Sequence, residues 1–452
     1  MSFKPYCVGE WLPSDQNVID NWLGDLITEV KAKSNDKYQL LLALHPAAED
    51  EETAMGEIKP AVTNATDKEL NLHQPVEDLK NAILSDPEIN MFFHQMFWQQ
   101  YKLPGDPHKK VPSWQLMIIL LDHIMTIAPK FKKSGLVAIP ISAMLNWPMA
   151  TNAGFAAFLN DKVNRLFKNI LNYWGKFLTS PQSRYVLNDD PRHGWLGEDA
   201  MEAMPNFVKW FQCNPHEEHY GFKSWDDFFT REFRPGIRPV ESPDDDSIVA
   251  NACESAPYRI SRAVRNTDYF WIKHQRYSLD FILNMSDLAK QFHGGTVYQA
   301  FLSALSYHRW HSPVSGTIYK TELVDGSYYS ATHNIKDDPS IPNTVKSQGY
   351  LAQVAARGII YIKADNPDIG LMCFVSIGMV EVSSNEITVK EGDKVKKGDQ
   401  LGMFHFGGST HCLIFRPGVT IDFDTRGQTP SLDTVNIPVK SKIAKVYPAG
   451  KK

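Results

Sequence analysis

The spacing of apolar residues changes near residue 216 of this 452-residue chain, and this change constrains the fold more than any other feature. Before it, apolar side chains recur every three or four residues, which places them on one face of an α-helix. After it, short runs rich in β-branched and aromatic residues alternate with Gly, Pro and Asp, as in strands joined by turns. We therefore expect an α+β protein, with a helical N-terminal domain over residues 1–215. A mostly antiparallel sheet or flattened barrel should form a second domain over 216–452.

The first half supplies a scaffold and no chemistry. Its periodicity predicts helices, and an acidic, Ala- and Thr-rich segment at about 46–67 is predicted to be a mobile connector. The predicted helices cover 14–33, 76–99, 114–127, 153–178 and 198–213. Because no acids, bases or metal-ligand types gather before residue 215, we expect this half to cover or regulate a site formed elsewhere.

Composition excludes several classes of function. A net charge of −5 gives no basic surface for nucleic acid. Five scattered cysteines without a CxxC pair favour free thiols, and argue against both disulfides and a zinc site. The longest uncharged run, 134–160, contains Pro140 and Pro148 and no sustained apolar 20-mer. No secretory signal opens the chain. We expect a cytoplasmic protein without stable membrane insertion, without bound metal and without a nucleic-acid partner.

The stretch 399–415 combines two strand patterns with a break at Gly407, Gly408 and Ser409. Glycine permits positive φ and close backbone approach. A Gly-Gly-Ser corner can therefore expose both the Gly408 carbonyl and the Ser409 hydroxyl, so that the serine attacks the peptide bond before it. The alternative interpretation is a hairpin turn made of ordinary turn residues.

Three further residues upstream could complete a nucleophilic site. His308 and His311 follow an apolar strand, and Glu254 interrupts another. A buried carboxylate requires a partner, and a histidine is a suitable one. Glu254, His311 and Ser409 together supply an orienting acid, a base and a hydroxyl. A serine hydrolase with these residues remains an alternative, although the Gly-x-Ser-x-Gly elbow is absent. Ordinary buried histidines are another alternative.

Four motifs, in this order and spacing, resemble the phosphatidylserine decarboxylase family of pyruvoyl enzymes. They are FKSWDDFFTREFRPGIRP, FHGG, YHRWHSPVSG and VKKGDQLGMFHFGGST, and the resemblance covers about residues 216–450. The stretches ATNAGFAAF and HGWL in the first half, with YHRWH and GMFHFGGS, resemble the fungal soluble branch of that family. These are the L-tryptophan decarboxylases of the psilocybin-pathway type.

The resemblance implies self-cleavage between Gly408 and Ser409. In the family the serine forms an ester with the preceding carbonyl, and elimination then leaves dehydroalanine. Water hydrolyses the dehydroalanine to a pyruvoyl group and releases ammonia. The protein would then consist of its own two chains, residues 1–408 and 409–452. His311 matches the histidine that activates the serine, Glu254 matches the triad aspartate, and His308 matches a histidine for proton transfer or carboxylate positioning. The pyruvoyl group derived from Ser409 would be the only cofactor, and one histidine near its ordinary pKa would supply the proton.

Three departures from the membrane enzymes bear on the substrate. Glu254 stands where they have Asp, Ser306 where they usually have Asp, and Gly407-Gly408 where they usually have Leu-Gly or Phe-Gly. These departures bear on a phospholipid headgroup pocket and not on self-cleavage. We expect a free aromatic L-amino acid as substrate, with L-tryptophan converted to tryptamine and CO₂. The alternatives are a phosphatidylserine decarboxylase that makes phosphatidylethanolamine, and a non-enzymatic lipoyl-like binding module.

Overall fold

A computed structural model describes residues 15–44, 70–103, 110–132, 137–267, 277–330, 348–378, 380–382, 384–406 and 409–450. Helices fill the first half of these residues and antiparallel strands dominate the second, so the predicted α+β fold is confirmed. The connector predicted at 46–67 lies outside the described residues. The domain boundary at 215/216 stays a prediction.

The α-helices that precede the first strand lie between residues 16 and 229. They are α1 (Gln16–Leu44), α2 (Gln74–Ser85), α3 (Pro87–Gln99), α4 (Trp114–Ile124), α5 (Pro140–Met149), α6 (Asn152–Ala157), α7 (Asp161–Leu178), α8 (Glu198–Ala203), α9 (Phe207–Trp210) and α10 (Trp225–Phe229). Two further short helices, α11 (Leu279–Ile282) and α12 (Gln348–Val354), lie among the strands.

Capping residues divide two of the predicted helices. The helix predicted over 76–99 is broken at Asp86, whose side chain accepts an N–H from the first turn of α3 at 3.0 Å. Pro87 follows and has no N–H with which to continue α2. The helix predicted over 153–178 is broken in the same way at Asn160, the N-cap of α7. Apolar periodicity therefore identified the buried faces correctly, whereas the caps set the boundaries.

Within the described part of the chain, the strands form three antiparallel sheets. They are β1 (Ile248–Ala250), β2 (Ala256–Val264), β3 (Gly295–Leu302), β4 (Arg309–His311), β5 (Gly316–Val324), β6 (Arg357–Ala364), β7 (Leu371–Gly378), β8 (Ser384–Ile387), β9 (Lys394–Val395), β10 (Gln400–His405), β11 (Ser409–Phe415), β12 (Thr420–Phe423) and β13 (Lys442–Tyr447). The main sheet has the order β2-β3-β11-β7-β6-β5-β9, and the smaller sheets are β4-β10-β8 and β1-β13-β12.

The main sheet is open, so the flattened barrel that the sequence left as an alternative is wrong. Its outer strands, β2 and β9, do not pair with each other among the described residues. Closure is unnecessary because both faces are covered. One face packs with Trp310 and Leu401 of the smaller β4-β10-β8 sheet, and the other with Leu279 and Ile282 of α11.

The helical half packs against one end of the main sheet. Its hydrophobic core continues into the second half through side chains that include Tyr307, Tyr329, Val380 and Phe406. Val380 follows the end of β7, and Phe406 follows the end of β10. The helices therefore cover the region where β11 begins, which is the region that the sequence singled out for chemistry.

Candidate active site

Ser409 is the first residue of β11, a central strand of the main sheet. It lies opposite Leu302 of β3 on one side and Gly378 of β7 on the other. The Ser409 side chain lies outside the described part of the structure, as do Gly407 and Gly408. The backbone nevertheless places the residue predicted as the nucleophile at the covered end of a strand that is paired on both sides.

The two strands around this serine are not partners in a hairpin, so the hairpin-turn interpretation of 399–415 is wrong. Strand β10 pairs with β4 and β8, whereas β11 pairs with β3 and β7. The chain must therefore pass from one sheet to another between His405 and Ser409. Strand β10 ends at His405 and β11 begins at Ser409, so three residues lie between them.

Phe406 shows the backbone strain at this corner. Its φ of 78° lies in the left-handed region, which residues other than glycine rarely adopt. The ring is buried against α7, where a Cβ built on Gly175 would lie 2.9 Å from Phe406 Cε2. The absence of a side chain at position 175 therefore makes room for the aromatic ring that anchors the chain just before the predicted cleavage site.

His311 is buried at the end of β4 and has partners on both ring nitrogens. Its Nδ1 lies 2.8 Å from the Gly398 carbonyl oxygen, and its Nε2 lies 2.9 Å from the Tyr307 hydroxyl oxygen. Because a carbonyl only accepts, Nδ1–H is the donor, and Nε2 of the neutral ring accepts the Tyr307 O–H. Nε2 is therefore the atom with a lone pair that could take a proton.

Burial keeps His311 uncharged. Desolvation, together with the nearby Lys440 ammonium, lowers the pKa of His311 to about 3. The ring is consequently in the proton-accepting form at any physiological pH. This state suits the role of base that the sequence predicts for His311, but it means that His311 is not an imidazole near its ordinary pKa.

The carboxylate of Glu254 binds an arginine and not a histidine. It accepts from Arg238 Nη2 at 2.6 Å and Nε at 3.0 Å, and from the Val439 backbone N–H at 2.8 Å. The expected histidine partner for Glu254 is therefore wrong, because both ring nitrogens of His311 are bound to other groups. Glu254 also lies in the segment between β1 and β2, where the chain changes sheets, and not within one apolar strand.

His308 is fully buried and stacks on Phe229 of α10, with ring centroids 3.9 Å apart and planes 15° apart. Backbone groups of Phe229 and Ser303 near the ring act to raise the pKa of His308. Burial and the nearby Arg231 guanidinium hold the pKa of His308 well below its usual value. The expectation of one histidine near its ordinary pKa is thus wrong for His308 as well as for His311.

Sequence reasoning missed three residues of this region. Tyr307 bonds to His311, Arg238 bonds to Glu254, and His405 lies three residues before the predicted cleavage bond. His405 Nδ1 lies 3.0 Å from an Asp226 oxygen, and its Nε2 lies 2.9 Å from a Glu386 oxygen. Burial alone would lower the pKa of His405, but the two carboxylates outweigh it and raise the pKa. Tyr307, Arg238 and His405 all lie inside the motifs that carried the resemblance, and this position was the available signal.

No helix in the described ranges is both long and apolar enough to cross a membrane.

Comparison with known proteins identifies the family. Two family models, both for phosphatidylserine decarboxylase, match residues 73–204 and 225–432. The decarboxylase iboD of Amanita muscaria is 46% identical over 301 residues, covering 63% of this chain and 86% of that protein. The L-tryptophan decarboxylase of Psilocybe cubensis is 38% identical over 80% of this chain and 85% of its own length. The L-tryptophan decarboxylase of Psilocybe cyanescens is 36% identical over 90% of this chain and 88% of its own length.

The chain belongs to the phosphatidylserine decarboxylase family. By family it is an enzyme of the carboxy-lyase class. Both family models fall on described secondary structure, one on the helices and the other on the strands that carry His311 and Ser409.

Proposed function

We propose that this protein is a pyruvoyl-dependent decarboxylase of a free aromatic L-amino acid, with L-tryptophan as first candidate and tryptamine plus CO₂ as products. The observation that carries the proposal is the similarity to two proteins named L-tryptophan decarboxylase, which extends over at least 85% of each of them. The position of Ser409 at the head of a central strand supports it.

Maturation by self-cleavage requires a base for the Ser409 hydroxyl. Neutral His311 has the needed lone pair on Nε2, and Tyr307 donates to it in the present arrangement. Tyr307 either relays the serine proton to His311 or moves aside for Ser409. Glu254 has a positioning role, because its carboxylate accepts hydrogen bonds from both Arg238 and the Val439 backbone and so connects these two segments. The cut between Gly408 and Ser409 leaves the products 1–408 and 409–452 joined by the ladders of β11.

The residues present suit a pyruvoyl group at position 409. Pairing with both β3 and β7 would hold the new chain end in place after cleavage, without any additional ligand. When formed, the group supplies a carbonyl that captures the amine of the substrate and accepts the electrons released as CO₂ leaves. His308 contributes a neutral, apolar wall packed on Phe229, and the helical half excludes water from this end of the sheet.

Mass spectrometry of the denatured protein tests the maturation step. We expect two fragments, 1–408 and 409–452, the smaller with a blocked N-terminus. The variant Ser409→Ala should stay intact and inactive, whereas Ser431→Ala, a serine of the same fragment, should cleave normally. CO₂ release from free L-tryptophan tests the reaction. An intact chain with full activity would contradict the role of Ser409.

A second candidate function is phosphatidylserine decarboxylation, which the description of both matching family models favours. It predicts CO₂ release from phosphatidylserine vesicles and none from free amino acids. Assaying both substrates with the same mature protein separates the two functions. A cytoplasmic location stays a prediction.

A further inference from the structure

Three buried polar side chains near the start of β11 lack a hydrogen-bond partner among the described residues. They are Ser142 through Oγ, Tyr329 through Oη and Glu381 through Oε2. Each residue is at most 1% exposed. Buried polar groups are almost always paired, so three unpaired ones in one place require an explanation.

Ser142 and Glu381 are in direct contact, and Tyr329 lies within electrostatic reach of Glu381. Glu381 Oε1 accepts the Ser142 backbone N–H at 2.8 Å, which joins the turn after β7 to the first turn of α5. The Glu381 carboxyl is also close enough to Tyr329 to contribute to raising the pKa of that phenol. We call Ser142, Tyr329 and Glu381 the polar cluster.

The surroundings of the polar cluster are aromatic. The Tyr329 ring lies 5.1 Å from that of Phe167 and 5.8 Å from that of Phe158, measured between centroids. All three rings belong to the core by which the helices cover the end of the sheet. An apolar, aromatic wall with a few convergent polar groups is the usual composition of a small-molecule site.

The polar cluster is also close to the proposed reaction centre. Glu381 is the third residue after Gly378, and Gly378 lies opposite Ser409. Residues opposite each other in an antiparallel pair are about 5 Å apart at Cα, and an extended chain advances at most about 3.6 Å per residue. The Cα atoms of Glu381 and Ser409 are therefore at most about 16 Å apart. A glutamate side chain and an aromatic amino acid together can span this distance.

The protonation of Glu381 determines which hydrogen bonds the cluster can make. Burial raises the pKa of Glu381 to about 8, although N–H groups at the start of α5 act in the opposite direction. At neutral pH the carboxyl is uncharged, so Oε2 can both donate and accept, as can the two hydroxyls. A neutral ligand group fits such a cluster better than an ion does.

We propose that Ser142, Tyr329 and Glu381 determine substrate specificity by binding an N–H or O–H group on the ring of an aromatic amino acid. The proposal rests on the proposed function and deepens it. It predicts preference for substrates whose ring carries such a donor, the indole of tryptophan among them, over phenylalanine, which has none.

The test compares kcat/KM for L-tryptophan and L-phenylalanine in Glu381→Gln, Tyr329→Phe and Ser142→Ala. Glutamine retains an oxygen for the Ser142 N–H but replaces the acceptor at Oε2 by an amide that only donates. We expect kcat/KM for tryptophan to fall about tenfold or more in Glu381→Gln and Tyr329→Phe, mainly through KM, and that for phenylalanine to change less than about twofold. Ser142→Ala should also lower the ratio of kcat/KM for tryptophan to that for phenylalanine. Tyr361→Phe, a buried tyrosine opposite Cys373 further along the sheet, is the matched control and should leave the ratio unchanged.

Mass spectrometry and thermal unfolding of every variant accompany the kinetics. Equal losses on both amino acids, or an unchanged ratio, would show that the cluster only supports the fold. Failure of Glu381→Gln and Tyr329→Phe to cleave would assign the cluster to maturation and overturn the proposal. If the wild type decarboxylates no free aromatic amino acid, the proposed function itself fails. If the wild type releases CO₂ from tryptophan and the variants keep the wild-type ratio of kcat/KM for tryptophan to that for phenylalanine, only the proposed role of the polar cluster is refuted.

Discussion

Replacing Arg238 separates the structural role of Glu254 from a direct catalytic one. Arg238 donates to the carboxylate through Nε and Nη2, and its guanidinium lies 4.6 Å from the centroid of the Trp210 ring. The two charged side chains are only 17% and 10% exposed. Removing one partner of a buried ion pair leaves the other charge uncompensated, at a cost of about 3–5 kcal/mol. Because the pair retains some exposure, we expect Arg238→Gln to lower the free energy of unfolding by about 3 kcal/mol.

Urea unfolding in the Ser409→Ala background measures this effect on a single intact chain. A double-mutant cycle with Glu254→Gln should show the double variant to be more stable than the sum of the single losses predicts, by about 2 kcal/mol. The matched control is Lys162→Gln, whose ion pair with Asp86 has the same N–O distance of 2.6 Å as that of Arg238 with Glu254. The Lys162 side chain is 59% exposed, so its unfolding midpoint should not move.

Self-cleavage of the same variants with Ser409 restored completes the experiment. If Glu254 acts through Arg238, Arg238→Gln should slow cleavage about as much as Glu254→Gln does. Normal cleavage in Arg238→Gln, combined with none in Glu254→Gln, would refute this reasoning and make the carboxylate a direct partner of the catalytic groups. If Arg238→Gln leaves the unfolding midpoint unchanged, as Lys162→Gln should, the expected loss in the free energy of unfolding is refuted.

Three further predictions concern pH and the corner before Ser409. The raised pKa of His405 means that its ion pairs stabilise the fold fully below about pH 6.5 and lose this effect as pH rises through the folded-state value. The free energy of unfolding should therefore fall more between pH 6 and 9 in the wild type than in His405→Gln. With the pKa of His311 at about 3, the self-cleavage rate after in vitro translation should be constant from pH 5 to 7.5, and a decline below pH 6.5 would contradict the neutral ring. Gly175→Val should displace Phe406 and slow cleavage in a time course on gels, whereas Gly24→Val, with open space around it, should not.

The local sequence pattern was enough to predict the helices, the strands and the kinds of residue in the site. Hydrogen-bond partners and neighbouring strands depend on contacts between residues far apart in the chain. The apolar stripe of α7 and the strands around Ser409 followed from spacing alone. The contact of Glu254 with Val439 did not, because these two residues are 185 positions apart in the chain. The same holds for β10 and β11, which are adjacent in the chain but belong to different sheets. A strand pattern specifies which residues share a face, but it does not specify the neighbouring strand.

The protonation states of the site could not be predicted from the sequence, because they depend on burial by other parts of the fold. His308, His311 and Glu381 are all uncharged at neutral pH, and desolvation by burial is the largest cause for each of them. The start of α5 binds Glu381, so part of the burial of Glu381 comes from the helical half of the chain. Residues before 215 therefore help to set the electrostatics of the site. A carboxylate that loses CO₂ reacts more readily when water is excluded from it. The helical half is therefore part of the active site in physical terms, although none of its residues belongs to the predicted triad.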